Sequence, residues 1–246
     1  MNTEFYKRCV ISMVALSAIS ANAQNGSPET GVLSHLSVGL TAGTSGIGVD
    51  LSTPITSYLQ IRAGFDYLPE ISHKESVYYF VKGERKTTEV KGYLNLNSAR
   101  LLLDVFPFRN SAFHLSTGIY VGSDEVIRAE NTKAVTSFDK GEGLLIGNYI
   151  IGFDEDGFAK AVIKTNKFRP YVGIGFGRCV PRKRFGFGAD LGFMLWGTPR
   201  VYEKQSGLEL EVTKDHLGPE SDKYFDILSK ITVWPVLTLR FTGRIF

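Results

Sequence analysis

Arg184-Phe-Gly-Phe-Gly-Ala-Asp-Leu-Gly-Phe-Met-Leu-Trp-Gly-Thr-Pro-Arg-Val201 is the stretch that decides the fold. Phe185, Phe187, Ala189, Leu191, Phe193 and Leu195 alternate with Gly186, Gly188, Asp190, Gly192, Met194 and Trp196. A period of two is the signature of a β-strand whose faces meet different surroundings. Working outward, the same alternation recurs in His35 to Ala42, Ile47 to Leu51, Leu59 to Asp66, Leu101 to Val105, Phe113 to Val121, Val172 to Phe176 and Leu237 to Ile245. With the opening stretch these are eight candidate strands, an even number. With strand ends extended to the flanking turns and loops, the gaps between them run about 3, 5, 22, 5, 47, 7 and 33 residues, an alternation of short and long that an up-and-down meander produces when one end carries tight turns and the other long loops.

Alternation does not say which face is inside. A lipocalin-like secreted barrel turns its apolar face inward around a ligand, and a membrane barrel turns it outward. The 26 glycines decide. Gly173, Gly175, Gly177, Gly186, Gly188 and Gly192 share the face opposite the Phe, Leu, Ile and Val residues. Pointed at water, six such positions would weaken two adjacent strands without return. Pointed into a narrow barrel, they make room for large neighbours such as Tyr58, Tyr120 and Trp196. The expected fold is all-β: an eight-stranded antiparallel up-and-down transmembrane β-barrel over residues 34–246. Its short periplasmic turns would be Thr53 to Ser57, Pro107 to Ser111 and Arg178 to Arg184, and its long extracellular loops 68–89, 122–168 and 197–229. A ten-stranded version stays open if the longest loop supplies a membrane hairpin. By parity Asp50, Asp66, Asp104 and Asp190 face the lumen together with Arg62, Arg100, Arg240 and Arg244. Buried unpaired charges cost several kcal/mol, so these groups are expected to pair into a plug and not to line a conducting pore.

Residues 1–23 carry Lys7 and Arg8, an apolar run from Cys9, and Ala21-Asn22-Ala23, which reads as a secretory signal peptide followed by a short lead over 24–33. Its removal leaves Cys179 as the lone cysteine, so neither an internal disulfide nor a cysteine zinc site is expected. The formal charge of +3 falls to +2 with that segment, too balanced for a nucleic-acid binder.

Four segments carry a family resemblance: Arg169 to Arg178 (RPYVGIGFGR), Arg184 to Val201, Val233 to Phe246 (VWPVLTLRFTGRIF) and Leu101 to Phe108 (LLLDVFPF). In these the chain resembles the small OmpA-like outer-membrane β-barrel proteins of Gram-negative bacteria. That family shows a PYxGxGxG strand, a GxxxDxGxxxxGxP strand and an aromatic closing strand. Here Gly243 stands where the closing strand usually has an aromatic, and Ile245 precedes Phe246. The resemblance implies outer-membrane location, Phe241, Ile245 and Phe246 as the signal read by the barrel-assembly machinery, contact with outer-membrane lipids and lipopolysaccharide, a monomer, and no reaction or cofactor.

Several constellations carry the ingredients of chemistry. His114 and Ser116 share one strand face, with Glu125 and Glu130 beyond, the elements of a lipid A-modifying hydrolase. Residues at i and i+2 share a face on any strand, however, and this face is the lumen, so a packed interior pair is preferred. His73 (near Glu70 and Glu75) and His216 (near Asp215 and Glu220) have the ingredients of an aspartyl-histidine protease rim, but loop histidines beside acids are common. The glycine row from Gly173 to Gly177 precedes no helix and is no nucleotide loop. Asp154, Glu155 and Asp156 lack calcium-loop spacing and read as a solvated turn. Ser76 to Val90 is expected to extend its flanking strands, Leu144 to Phe153 to add a short strand, and Pro219 to Ser229 to form an amphipathic helix. The expected role is structural or one of surface interaction, including adhesion, carried by the long loops.

Overall fold

A computed structural model describes residues 34–108, 110–139, 141–146, 149–205, 208–212 and 230–246. The expected signal peptide, the lead and the helix at Pro219 to Ser229 lie outside the described residues. The first eight strands are β1 (Ser37–Gly43), β2 (Gly46–Pro54), β3 (Leu59–Tyr67), β4 (Ile71–Val81), β5 (Glu84–Leu94), β6 (Ser98–Val105), β7 (Phe113–Gly122) and β8 (Glu125–Asn131). There follow β9 (Gly143–Ile146), β10 (Tyr149–Gly152), β11 (Lys160–Lys164), β12 (Phe168–Phe176), β13 (Phe185–Leu195), β14 (Arg200–Gln205), β15 (Leu208–Glu211) and β16 (Val233–Arg244).

Eight of these close into an antiparallel barrel in the order β1-β16-β13-β12-β7-β6-β3-β2. Closure is made by β1 on β16, where Ser37 pairs with Arg244 and Gly43 with Thr238. The decisive stretch is β13, whose eleven residues pair with β16 from Phe185↔Gly243 to Leu195↔Val233. The barrel closes at eight strands; the longest connection adds none to it.

The alternation has the outward-apolar sense. Phe187 is 78% exposed, and Leu40, Val172, Phe176, Leu191 and Leu239 stand out beside it, while Asp50, Arg62, Asp104, His114 and Arg240 are buried inside. A lipocalin-like ligand barrel needs the reverse. Glycines do line the interior as the pattern required: a Cβ on Gly175 would lie 2.4 Å from His114 Nε2 and 2.3 Å from Asp190 Oδ1. Tyr171, His114, Asp190 and Arg240 occupy the space so made; Tyr120 and Trp196 are buried but away from these glycines, and Tyr58 is not buried at all. It sits in the β2–β3 turn, 49% exposed, before the strand sets its parity.

The long connections are not loops. They form a second eight-stranded sheet, a hood, in the order β10-β9-β4-β5-β8-β11-β14-β15. Barrel strands run into hood strands through breaks of a few residues, as at Leu68–Glu70 and Asn95–Asn97. The β4–β5 hairpin pairs Ile71↔Leu94 through Val81↔Glu84. It turns at Lys82 (φ 54°) and Gly83 (φ 73°), the two left-handed residues of a tight hairpin turn. Val81, Leu144, Ile151, Phe153 and Ala159 form an apolar core of its own.

Between hood and barrel lies a neck of Leu68, Leu96, Val126 and Trp196, with Trp234 packed against them. The indole rings of Trp196 and Trp234 lie 4.9 Å apart, and Trp196 Nε1 donates to the Ile231 carbonyl at 2.7 Å. The Trp234 Nε1, in contrast, is buried without a hydrogen-bond partner among the described residues, so the seam between the two sheets rests on ring packing and one satisfied indole.

Candidate functional site

The lumen is filled in three layers. At mid-height the inward parity of β3, β6, β7, β13 and β16 brings charges from all sides to the axis. Arg62 reaches Asp104 Oδ1 at 2.8 Å and Asp190 Oδ2 at 3.0 Å, and Arg240 Nη1 holds the same Asp190 oxygen at 2.8 Å. His114 Nε2 meets Asp190 Oδ1 at 2.8 Å. A second centre gathers around Arg100, which holds Asp50 at 2.6 Å and also pairs with Asp66, while donating to Thr41 Oγ1 at 3.0 Å. All these side chains are buried. Such pairs add little net stability over an apolar core, yet each becomes costly when one member is removed, so together they dictate which strands sit opposite one another.

Arg244, expected in this network, is not part of it. Its parity is inward, but it ends β16 and lines the turn-end mouth beside His35, Pro54 and Pro181. Three guanidiniums therefore face four carboxylates, with His114 as the further partner. Both of its ring nitrogens meet oxygen acceptors, Asp190 at Nε2 and the Ala112 carbonyl at Nδ1, 3.2 Å away.

Ser116 and His114 are not bonded to each other as a nucleophile and base would be. Ser116 Oγ donates to Asp104 Oδ1 at 2.6 Å and accepts from Arg62 at 3.2 Å. Both residues are fully enclosed, and the arrangement is that of a packed interior pair.

Above the charges lies an apolar layer of Leu102, Tyr120, Tyr171, Met194 and Val236. Below them the floor is closed by the β12–β13 turn, which folds up into the barrel. The backbone N–H groups of Cys179 and Val180 donate to Gln60 Oε1 at 3.0 and 3.2 Å, Ser52 Oγ donates to the Cys179 carbonyl at 3.2 Å, and Cys179 Sγ donates to Asp104 Oδ2 at 2.7 Å. Gly186 permits this inward fold, since a Cβ there would come within 2.8 Å of Pro181 Cβ.

Sequence reasoning missed two buried residues. Cys179 lies in what reads as an ordinary exposed turn. Arg169, at the neck end of β12, is fully buried and acts through backbone acceptors. Its Nε donates to the Asn166 carbonyl at 2.7 Å, and Nη2 to the Ser123 carbonyl and to Thr165 Oγ1 at 3.3 Å. It thereby staples the β7–β8 and β11–β12 breaks to each other.

In the hood, Glu203 on β14 crosses to the edge strand β10, accepting the Tyr149 hydroxyl and the Gly152 N–H, both at 2.7 Å. Burial, and then the hydrogen bond to Glu203, push the Tyr149 hydroxyl up to about 12. The edge strand β10 is thus tied by a side chain to β14, the last strand but one at the other side of the sheet. Asp154 is buried and occupied within its own turn, accepting from the Asp156 and Phe158 N–H groups at 3.1 and 2.8 Å and from Lys160 Nζ at 2.7 Å, while Glu155 and Asp156 are exposed; the expected solvated turn is thus anchored by one enclosed carboxylate. His73 meets Glu75 at 2.9 Å on the open surface; His216 lies outside the described residues. Among the described residues no group of three or more His, Cys, Asp or Glu side chains is arranged to hold a metal ion.

No protein-family model matches the chain, and no curated protein sequence is similar to it. Among solved structures, CarO2 of Acinetobacter baumannii is similar with a TM-score of 0.50 at 14% identity, over 85% of this chain and 98% of that one. CarO of the same organism gives 0.49 at 18% identity, over 86% and 98%. At such identities the likeness to CarO2 is one of fold, and the chain is an all-β protein built on a closed eight-stranded antiparallel barrel of the kind found there.

Proposed function

We propose that this chain is an integral outer-membrane barrel with a sealed lumen, whose hood does its work at the cell surface as a structural or surface-interaction element and not as a catalyst. One observation carries the reading: the barrel wears its apolar side chains outside, with Phe187 and Phe176 78% and 66% exposed, and keeps its carboxylates and guanidiniums inside. In water that arrangement exposes a broad continuous apolar surface, while in hydrocarbon each term becomes favourable. Residues 1–23 act as the export signal in this reading, and Phe241, Ile245 and Phe246 as the assembly signal. The lipid contacts are with phospholipid and lipopolysaccharide, and the protein is a monomer. The tight turns then face the periplasm and the hood faces outward.

The test is separation of inner and outer membranes, comparison of boiled with unboiled protein on one gel, and conductance in a planar bilayer. Outer-membrane residence, a heat-dependent shift and no steady conductance are expected. Recovery as a soluble periplasmic protein would overturn the membrane placement, and stepwise conductance by the purified protein would overturn the sealed lumen.

A further inference from the structure

The turn end of the barrel has a charge character found nowhere else in the molecule. Its connections read Thr-Pro-Ile-Thr-Ser-Tyr over 53–58, Pro-Phe-Arg-Asn-Ser-Ala over 107–112 and Gly-Arg-Cys-Val-Pro-Arg-Lys-Arg over 177–184, and β16 arrives with Gly-Arg-Ile-Phe over 243–246. They hold six arginines and lysines and no aspartate or glutamate. Every long connection at the hood end, by contrast, mixes both signs.

Four separate pieces of chain converge there on a cleft of about 290 Å³, to which His35, Thr56, Ser57, Arg178, Arg182 and Arg244 contribute, and no acidic residue lines it. Two of the three cationic side chains are held in place. Arg178 lies over the Phe106 ring at 4.5 Å and donates to the Ser111 carbonyl at 3.3 Å, and Arg182 donates to Asn110 Oδ1 at 3.2 Å. Thr56 Oγ1 accepts the N–H groups of Tyr58 and Leu59, both at 3.1 Å, which leaves its hydroxyl hydrogen as the part that can donate to a ligand. Burial, and then the neighbouring Arg182 guanidinium, push Arg178 below its ordinary value, as like charges held close together do. Guanidinium forks fixed in advance and flanked by a hydroxyl donor suit the oxygens of a phosphate, and the absence of acids in the lining disfavours cations.

We propose that the turn-end mouth is a binding site for a phosphate-type oxyanion, held by Arg178, Arg182 and Arg244 with Thr56 as an additional donor. Two sources offer this chemistry, a free phosphate and the phosphoryl headgroup of a short lipid. The site does not depend on membrane placement, so it stands or falls apart from the function proposed above.

The full chain, refolded in maltoside micelles, is titrated calorimetrically with inorganic phosphate and separately with a short-chain phosphatidylglycerol. Saturable binding of at least one probe is expected, weakened about tenfold by Arg244→Gln and by Arg182→Gln and unchanged by Arg85→Gln in the hood. Binding of phosphate alone identifies a soluble anion, and tighter binding of phosphatidylglycerol through the same arginines identifies a lipid headgroup. Arg244→Lys, which keeps the charge and loses the fork, should retain part of the affinity, and circular dichroism of each variant establishes that the barrel is folded. Absence of saturable binding by either probe at millimolar concentration, or binding that Arg85→Gln weakens as much as Arg244→Gln, overturns the proposal.

Discussion

The barrel and the hood are built from the same chain, often from the same hairpins, and they solve opposite problems. The barrel closes by backbone hydrogen bonds, turns its apolar residues outward and fills its centre with ion pairs. The hood gathers Val81, Leu144, Ile151, Phe153 and Ala159 into a core, leaves Ile71, Leu208 and Leu210 exposed among its polar surface residues, and is latched by the side chain of Glu203. The inversion happens within the two to four residues of the β3–β4, β5–β6, β7–β8, β11–β12 and β13–β14 breaks at the neck. A strand's periodicity is thus a statement about what surrounds it, and one hairpin carries two such statements in succession.

The sharpest way to break the contrast is through the barrel's ion pairs. Asp190 serves Arg62, Arg240 and His114 at once, so Asp190→Ala takes the carboxylate from the buried Arg240 and leaves Arg62 with the Asp104 carboxylate alone. A loss of about 3–5 kcal/mol is expected, read as a lowered urea midpoint for refolding into lipid vesicles. An unchanged midpoint would mean that the lumen charges are not what fixes the barrel. The hood should fail by the ordinary route of cavities: Ile151→Ala removes a fully enclosed side chain at an expected cost of about 2–5 kcal/mol. Limited proteolysis should then cut the hood and leave a protected barrel. If both sheets become susceptible together, the neck couples them into one cooperative unit.

A smaller effect is expected at the latch. The Tyr149 hydroxyl is raised by burial and by Glu203, so its contribution is complete below the usual tyrosine range near 10 and is lost as pH climbs through about 12. In Glu203→Gln the tyrosinate absorbance should appear at lower pH, though burial, the larger cause, keeps it above the exposed tyrosines. Coincident titration curves for the two proteins would show that the latch is not formed. The smallest effect belongs to the hood surface, where the Lys204 hydrogen bond, first among several causes, holds Glu125 below the usual carboxylate range. The pair's stabilisation is present at neutral pH and lost on acidification through Glu125's own titration. Lys204→Met should cost about 0–1 kcal/mol and become undetectable at high salt.

How much of this was legible follows from the same contrast. Barrel strands see one medium on each side, so β13 and β12 alternate cleanly and their glycines disclose the inner face. The hood strands offered less. The first six residues of β4 are exposed on both faces, which erases a period of two, and β9 and β10 are four residues each, too short to display one. Ser76 to Val90 was recognisable as a strand extension, but not as part of a sheet that collects every long connection. Asp50, Asp66, Asp104, Asp190, Arg62, Arg100 and Arg240 are buried inside the barrel while Arg244, of the same parity, lines its mouth, because parity gives the face and not the depth. Arg169 escaped notice because its partners are two backbone carbonyls and one threonine hydroxyl, none of which marks a charge partner in side-chain patterning. The inward fold of the β12–β13 turn was hidden by its own composition, since Pro181 and its arginines look like any solvated connection.

The thiol of Cys179 turns that hidden fold into a clock. Its sulfur is sealed between the floor of the barrel and the Asp104 carboxylate, so an alkylating reagent can reach it only after the turn swings down. At low reagent concentration the labelling rate reports the equilibrium fraction of open floors. At saturating reagent it levels off at the frequency with which the floor opens, giving both numbers from one native atom.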